Sequence, residues 1–451
     1  MEQQKTHSAD KTLVVGLGIS GMSVVRFLNE KGVSLAVTDS RDIPPGIETL
    51  KQDYPDVARF VGGFDERAFA SAQRIVVSPG VALTEPCLLE AIDNGVSVIG
   101  DVELFAQHVD APVIAITGSN GKSTVTTLVG EMAKACGINV GVGGNIGRPA
   151  LDLLDKGYEL YVLELSSFQL ETIESLKPQA AVVLNISEDH MDRYRGLDDY
   201  AEAKARIYHN AMNEVVNLDD ERVVNMVNPL GQVGFTLNEP HEENEFGICN
   251  HEGQRWLCRG NDRLIAADEL LVPGDHNIAN ALAALALGQA AGLAMEGMLN
   301  ALRRYAGLPH RTQYVAEFGG VKFFNDSKAT NAGACIAALN GMDRGDGSKS
   351  IVILGGDCKD ADFSMLEPVV EATCRAVVLI GRDADEINRH LTGQVPVLKA
   401  TDLRDAVQKS LSQALEGDRV LLSPACASFD MFRGFEDRGE KFIKVVQELL
   451  R

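Results

Sequence analysis

Short apolar runs alternate with amphipathic stretches along most of the chain. "TLVVGLG", "SLAVTDS", "RIVVSPG" and "VSVIGD" are too short for helices and end in glycine or polar turns, which predicts buried strands. Between the first two, "SGMSVVRFLNEKG" has apolar positions at helical spacing and stops at Gly32, which predicts a helix. The alternation returns in "APVIAITG", "LYVLELS" and "AAVVLNIS", and again in "KFFND", "SIVILGG", "AVVLIG" and "DRVLLSP". Strands alternating with helices imply parallel, doubly wound sheets, whose ligands bind beyond the carboxyl ends of the strands. From about residue 232 to 271 the texture shifts to short polar pieces, "QRWLCRG" and "DRLIAAD", expected as a small antiparallel addition. The alanine-rich stretch Ile278–Leu299 reads as one buried helix, since Gln289 and Glu296 interrupt it too early for a membrane span. "GLPHR" at 307–311 marks a junction to a last unit.

Composition narrows the chemistry. With 451 residues there is room for roughly two to four domains, and 45% apolar with 24% charged residues is ordinary for a globular protein. A net charge of −22 argues against nucleic acid or an anionic membrane as a partner. Screening over about 8 Å at physiological salt leaves any phosphate binding to a few positioned cations. The eight cysteines form no C-x-x-C pair, so reduced thiols are expected rather than a disulfide framework or a zinc site. The polar "MEQQKTHSAD" lacks a signal-peptide core, which places the expected location in the cytoplasm.

Candidate chemistry sits in the turns after strands. "TGSNGKST" (Thr117–Thr124) follows an apolar run and opens a helix, the setting in which backbone N–H groups face an anion. Lys122 would reach terminal phosphates and Ser123 would take a magnesium ion. The spacing is unusual: the glycine normally five residues before the Gly-Lys pair is replaced by Ile116, and Gly118 lies three before Gly121. Gly16, Gly18 and Gly21 make G-x-G-x-x-G, with Asp39 ending the next strand. That pattern suits a nucleotide diphosphate with Asp39 on ribose or base, and equally a bare tight turn. Glu164 ends a strand one unit beyond the phosphate loop, where a magnesium ligand or a turn acid would stand. "NISEDHMDRY" carries Asn185, Glu188, Asp189, His190 and Asp192; neutral imidazole is a weak magnesium ligand, so His190 alone reads as structural or as a base. Lys204 and Tyr208 lie four apart on one helix face, and the plain reading of Lys204 is a surface charge. "NDSKATN", "LGGDCKDADF" and "LLSPACASFDMFRGFEDRG" follow three strands of the last unit. There Lys328 and Lys359 with Thr330 and Ser428 could converge on one anionic ligand.

Taken together, "TGSNGKST", "LELSSFQLE", "NISEDHMDRY", "GLPHR" and "NDSKATN" resemble the Mur ligase family, over essentially the whole chain. "VTDSR" and "SPACASFDMF" resemble its glutamate-adding members. The resemblance implies an α/β protein of three domains: a Rossmann-like UDP-substrate domain at 1–100, a central P-loop ATPase-like parallel sheet with the antiparallel addition at 101–306, and a Rossmann-like amino-acid domain at 307–451. It implies ATP-dependent amide formation in peptidoglycan precursor synthesis, from UDP-N-acetylmuramoyl-L-alanine and D-glutamate, by a soluble monomer without nucleic-acid or membrane partners. ATP would be held by Gly118, Ser119, Asn120, Gly121, Lys122, Ser123 and Thr124, with Asn277 and Asn280 near adenine and Arg311 and Asp326 on phosphate and ribose. Ile19, Ser20, Asp39, Ser40, Arg41, Gly80, Asn145 and His190 would meet the UDP substrate. Lys328, Thr330, Lys359, Ser428 and Phe435 would bind D-glutamate. Two magnesium ions are implied, one on Ser123 and Glu164, the other near His190 and Lys204 as a carbamate, with Lys122, His190 and Lys204 catalytic.

Within the same family, addition of another amino acid is the nearest alternative, although no "DNPR"-like arginine motif is present. A folylpolyglutamate-type ligase would leave the early glycine motif idle. An NAD-dependent dehydrogenase would leave Lys122 and Glu164 idle, and a non-catalytic nucleotide switch would bind ATP without substrate-dependent phosphate release.

Overall fold

The computed structural model describes residues 11–187, 193–228, 232–343, 346–358 and 363–449. Five strands, β1 (Thr12–Val15), β2 (Leu35–Asp39), β3 (Ala58–Val61), β4 (Arg74–Val77) and β5 (Ser97–Gly100), form a sheet in the order β3-β2-β1-β4-β5. All its pairs are parallel. The order reverses at β1, so the turn into the helix Ile19–Glu30 opens at the point where ligands bind in such sheets. Gly21 permits that approach: a Cβ there would lie 1.9 Å from the carbonyl oxygen of Gly16.

The central sheet has nine strands: β6 (Val113–Thr117), β7 (Val140–Gly144), β8 (Leu160–Glu164), β9 (Ala180–Val183), β10 (Glu214–Asn217), β11 (Val233–Phe235), β12 (Glu245–His251), β13 (Gln254–Arg259) and β14 (Asp262–Ala266). Their order is β14-β13-β12-β11-β10-β9-β6-β8-β7, with parallel pairs from β7 through β12. β6, β8 and β9 are wholly buried, which explains their unbroken apolar runs. Only Glu252 and Gly253, with φ of +53° and +82°, separate β12 from β13. A link that short joins antiparallel neighbours, as expected for the added strands.

Two expectations are corrected here. The cysteines are not all free: Cys249 and Cys258 are joined in a disulfide, their Cα atoms 6.3 Å apart. Both lie on the β12–β13 hairpin, which brings them within reach although they are nine residues apart in sequence. The alanine-rich stretch is two helices, Asp275–Ala290 and Met295–Arg304, because the chain turns at Gly292 with φ +83°. No helix among the described residues is long and apolar enough to cross a membrane.

The last sheet orders β15 (Gln313–Phe318), β16 (Val321–Asn325), β17 (Ser350–Gly355), β18 (Cys374–Ile380), β19 (Val397–Lys399) and β20 (Arg419–Leu422) as β15-β16-β20-β17-β18-β19. It is parallel except for the edge strand β15. By contacts the chain divides into two compact units, 1–249 with 258–263 and 281–301, and 250–257 with 264–280 and 302–451. Within the first, one apolar core runs through Val14, Phe105, Tyr161 and Leu163, so the first two sheets share a packed interior.

Candidate nucleotide and substrate site

At the mouth of the first glycine turn lies a cavity of about 560 Å³. It gathers Ile19, Ser20, Asp39, Ser40, Arg41, Gly80 and Asn145, every UDP-substrate candidate within the described residues. His190 falls outside them. Asp39 also has a local task. Its carboxylate is saturated, accepting from the Leu17 amide at 2.7 Å, the Arg41 amide at 2.9 Å, and Arg41 Nε and Nη2 at 2.8 and 2.7 Å. Burial works against its charge, but the bonds from Arg41 and Leu17 outweigh it and hold its pKa below the usual range. Asp39 thus fixes the glycine turn and presents Arg41, which is half exposed, to the cavity. Gln169, which sequence reasoning missed, also lines the cavity, and it completes a capping box with Ser166 at the short helix Ser167–Leu170. The S-x-x-Q spacing in "SSFQ" was the available signal.

The phosphate-loop candidate follows β6, and the helix Lys122–Ala135 starts within it. Gly121, with φ +83°, precedes that helix in a conformation few other residues adopt. The loop is braced from the next strand's turn: Ser119 N donates to Asn185 O at 3.0 Å and Asn120 N to Asn185 Oδ1 at 2.8 Å. Lys122 Nζ folds back onto the Gly118 and Ser119 carbonyls at 2.8 and 2.9 Å. It therefore hovers over the loop's own cradle, where a phosphate could compete for it.

Glu164 sits beside this loop, paired in register with Ile116. Its Oε1 accepts from Asn145 Nδ2 at 2.7 Å, and its Oε2 is buried with no hydrogen-bond partner among the described residues. A buried carboxylate oxygen in that state needs a cation or a donor, so the residue fits a magnesium ligand. Asn145 joins the two halves of the site, since it lines the cavity and orients Glu164.

Lys204 overturns its plain reading as a surface charge. It is 1% exposed, and Nζ donates to Gly118 O at 3.0 Å and Thr117 Oγ1 at 3.2 Å. The helix Leu197–Ala205 carries it over β6 because the Tyr208 hydroxyl, in the following turn, is pinned between the Val183 amide and the Val215 carbonyl at 2.8 Å each. Lys204 also lies 4.6 Å from the Tyr200 ring, whose hydroxyl contacts Ser119 of the loop.

In the second unit the turns after β16 and β20 meet. Ser327 Oγ donates to the Phe435 carbonyl at 2.8 Å, and Lys328 Nζ stands 5.4 Å from the Phe435 ring. Ser428 is buried and Thr330 exposed; Lys359 lies outside the described residues. Asp326, expected on ATP, is buried, and it accepts from the Thr312 amide at 3.0 Å and Ser423 Oγ at 2.8 Å. Burial pushes its pKa up to about 6. Arg311 is exposed, and Asn277 donates to the Pro273 carbonyl at 2.7 Å.

A lysine-bearing glycine loop beside a buried acidic strand end, with a second glycine-turn cavity in the same unit, defines a nucleotide-dependent enzyme of the P-loop kind. The chain belongs to the Mur ligase family. The MurD-like N-terminal domain of Mur ligases matches residues 10–100, the Mur ligase middle domain 116–288, and the Mur ligase glutamate ligase domain 310–426. It is 53% identical to the UDP-N-acetylmuramoylalanine–D-glutamate ligase of Marinobacter nauticus, over 97% of this chain and 98% of that one. Identity to the enzyme of the same description from Pseudomonas fluorescens is 50%, over 97% and 98%. The UDP-N-acetylmuramate-alanine ligase MurC of Thermotoga maritima shares the fold with a TM-score of 0.55 at 19% identity, covering 97% of this chain and 99% of that one.

Proposed function

We propose that the chain joins D-glutamate to UDP-N-acetylmuramoyl-L-alanine with cleavage of ATP to ADP and phosphate, as a cytoplasmic monomer with domains at 1–100, 101–306 and 307–451. The observation that supports this best is Asn145, which links the glycine-turn cavity to Glu164 at the edge of the phosphate loop. A UDP-sugar seated on Ser20, Ser40, Arg41 and Gly80 would extend its alanine carboxylate toward that edge. The carboxylate attacks the γ-phosphorus of ATP in line, and ADP leaves. Backbone N–H groups from Gly118 to Thr124 hold the phosphates, while Lys122 swings from its own loop's carbonyls to neutralise the moving phosphoryl group. Magnesium on Ser123 and Glu164 would supply further charge neutralisation. The acyl phosphate is then attacked by the amine of D-glutamate, and the tetrahedral adduct expels phosphate as the amide forms.

Lys328, Thr330, Ser428 and Phe435 are assigned to the acceptor, with Lys359. Asn277, Asn280, Arg311 and Asp326 keep their assignment to ATP. His190 and Lys204, the latter as a carbamate, are assigned to a second magnesium. The buried amine of Lys204 beside Gly118 supports that role better than a surface lysine would.

The test is phosphate release from ATP, magnesium and UDP-N-acetylmuramoyl-L-alanine with D-glutamate, L-glutamate, L-lysine or diaminopimelate supplied in turn. Release with D-glutamate alone, lost in Lys122→Ala, is the expected result. Release with another amino acid would replace the acceptor assignment, and release with none would return the switch reading.

A further inference from the structure

Arg438 belongs to no group of residues discussed so far, yet it is among the most buried side chains of the protein. It is 0% exposed, on the helix Phe435–Leu449. Its guanidinium makes five N–H bonds: Nε to Ser327 Oγ at 2.9 Å, Nη2 to Ser327 O at 2.9 Å and to Cys426 O at 3.1 Å, and Nη1 to Cys426 O at 3.1 Å and Ala427 O at 3.5 Å. Among the described residues every one of these acceptors is a hydroxyl or a backbone carbonyl, none a carboxylate. Burial lowers its pKa to about 10, which still leaves it cationic at neutral pH.

Two features make this arrangement specific. The bonds reach two turns that are far apart in sequence, 326–328 after β16 and 426–428 after β20, and both turns carry acceptor candidates, Lys328 and Ser428. The second turn needs holding, because Ala425 sits at φ +59° while 2% exposed, a conformation that costs energy for a residue with a Cβ. The Cys426 sulfur and the Asp430 carboxylate ease its charge through space, but among the described residues no carboxylate bonds to it, so a further anion beside the turns would complete a costly buried cation. The anion that visits these two turns in the proposed reaction is an acidic amino acid.

We propose that Arg438 is the positioning residue of the acceptor pocket, locking the Ser327–Lys328 turn to the Cys426–Ser428 turn from inside the fold and supplying fixed positive charge for the acceptor's carboxylates. The inference rests on the acceptor pocket proposed above. Arginine suits the task because its planar fork addresses two turns at once, which an ammonium cannot do.

Full-length Arg438→Lys and Arg438→Met variants test it by steady-state kinetics, each substrate varied in turn. Lysine keeps the charge and loses the fork, and methionine loses both. The KM for D-glutamate is expected to rise about tenfold in R438K and further in R438M, while the KM values for ATP and the UDP-sugar stay within about twofold. An unchanged glutamate KM in R438K overturns the proposal. So does an equal rise in all three KM values, the mark of a merely structural prop. Should R438M fail to fold, R438K decides alone. Lys328→Met separates the two levels: if it raises the glutamate KM and R438K does not, the pocket stands and the role of Arg438 falls. If K328M leaves it unchanged, the pocket assignment of Lys328 falls, while a glutamate-specific rise in R438K still supports Arg438.

Discussion

Asp101 gives the structure's clearest pH signature. Its side chain is 2% exposed at the start of the helix Asp101–Ala106, with Gln169 Nε2 at 3.4 Å from Oδ2. Burial pushes its pKa from 3.8 up to about 6, against opposing bonds from Gln169, the Val102 amide and Ser20. The folded state therefore binds this proton more tightly than the unfolded chain does. Its stabilising effect is complete below about pH 4 and is lost as the pH rises through about 6. A difference of about two pH units corresponds to roughly 3 kcal/mol at most. Asp101→Asn cannot ionise, so it escapes that loss. Calorimetric melts of both proteins from pH 4 to 8 should show the variant gaining on the parent by roughly 3–5 °C between about pH 4 and 6, then holding a constant lead. A difference that stays flat from pH 4 to 8 would refute the buried-carboxyl reasoning.

Three further outcomes follow from named contacts. Glu164→Gln keeps the acceptor for Asn145 and removes the charge at Oε2, so phosphate release should drop at least about 100-fold with the melting temperature unchanged or raised; more than a tenth of parent activity would contradict the ligand role. Asp39→Asn frees Arg41 and should raise the KM for the UDP-sugar about tenfold with kcat preserved, whereas an unchanged KM would make the Asp39–Arg41 pair a structural feature only. Protein equilibrated with ¹³C-bicarbonate should give a carbamate carbon resonance that is missing in Lys204→Met, and its absence from the parent would remove the carbamate from the account.

Much of the fold was legible because parallel strands buried on both faces carry unbroken apolar runs. "VIAIT", "LYVLE" and "AAVV" became β6, β8 and β9 for that reason. The glycine turns were legible because few other residues could take Gly121 or Gly21 through those bends. What escaped was set by tertiary packing. Lys204 has the local sequence of a surface lysine, and only the seating of its helix over β6 buries it. The approach of Cys249 to Cys258 depends on a hairpin that counting cysteines does not give. Arg438, in "FEDRGEK", reads as one more charge on an amphipathic helix until the turns it holds are seen around it. The bonds that Asp39 makes to Arg41, two positions away, were likewise not visible in the glycine pattern, which singles out Asp39 by its strand end alone.

The central claim is that this chain activates the alanine carboxylate by transferring phosphate to it. Its most direct test uses UDP-N-acetylmuramoyl-L-alanine labelled with ¹⁸O in both carboxylate oxygens, turned over with ATP and D-glutamate, and mass analysis of the inorganic phosphate released. The account requires one ¹⁸O in each phosphate, with the other retained in the new amide. Phosphate free of label, with amide still formed, would show that the carboxylate oxygen never reached phosphorus and would contradict the mechanism.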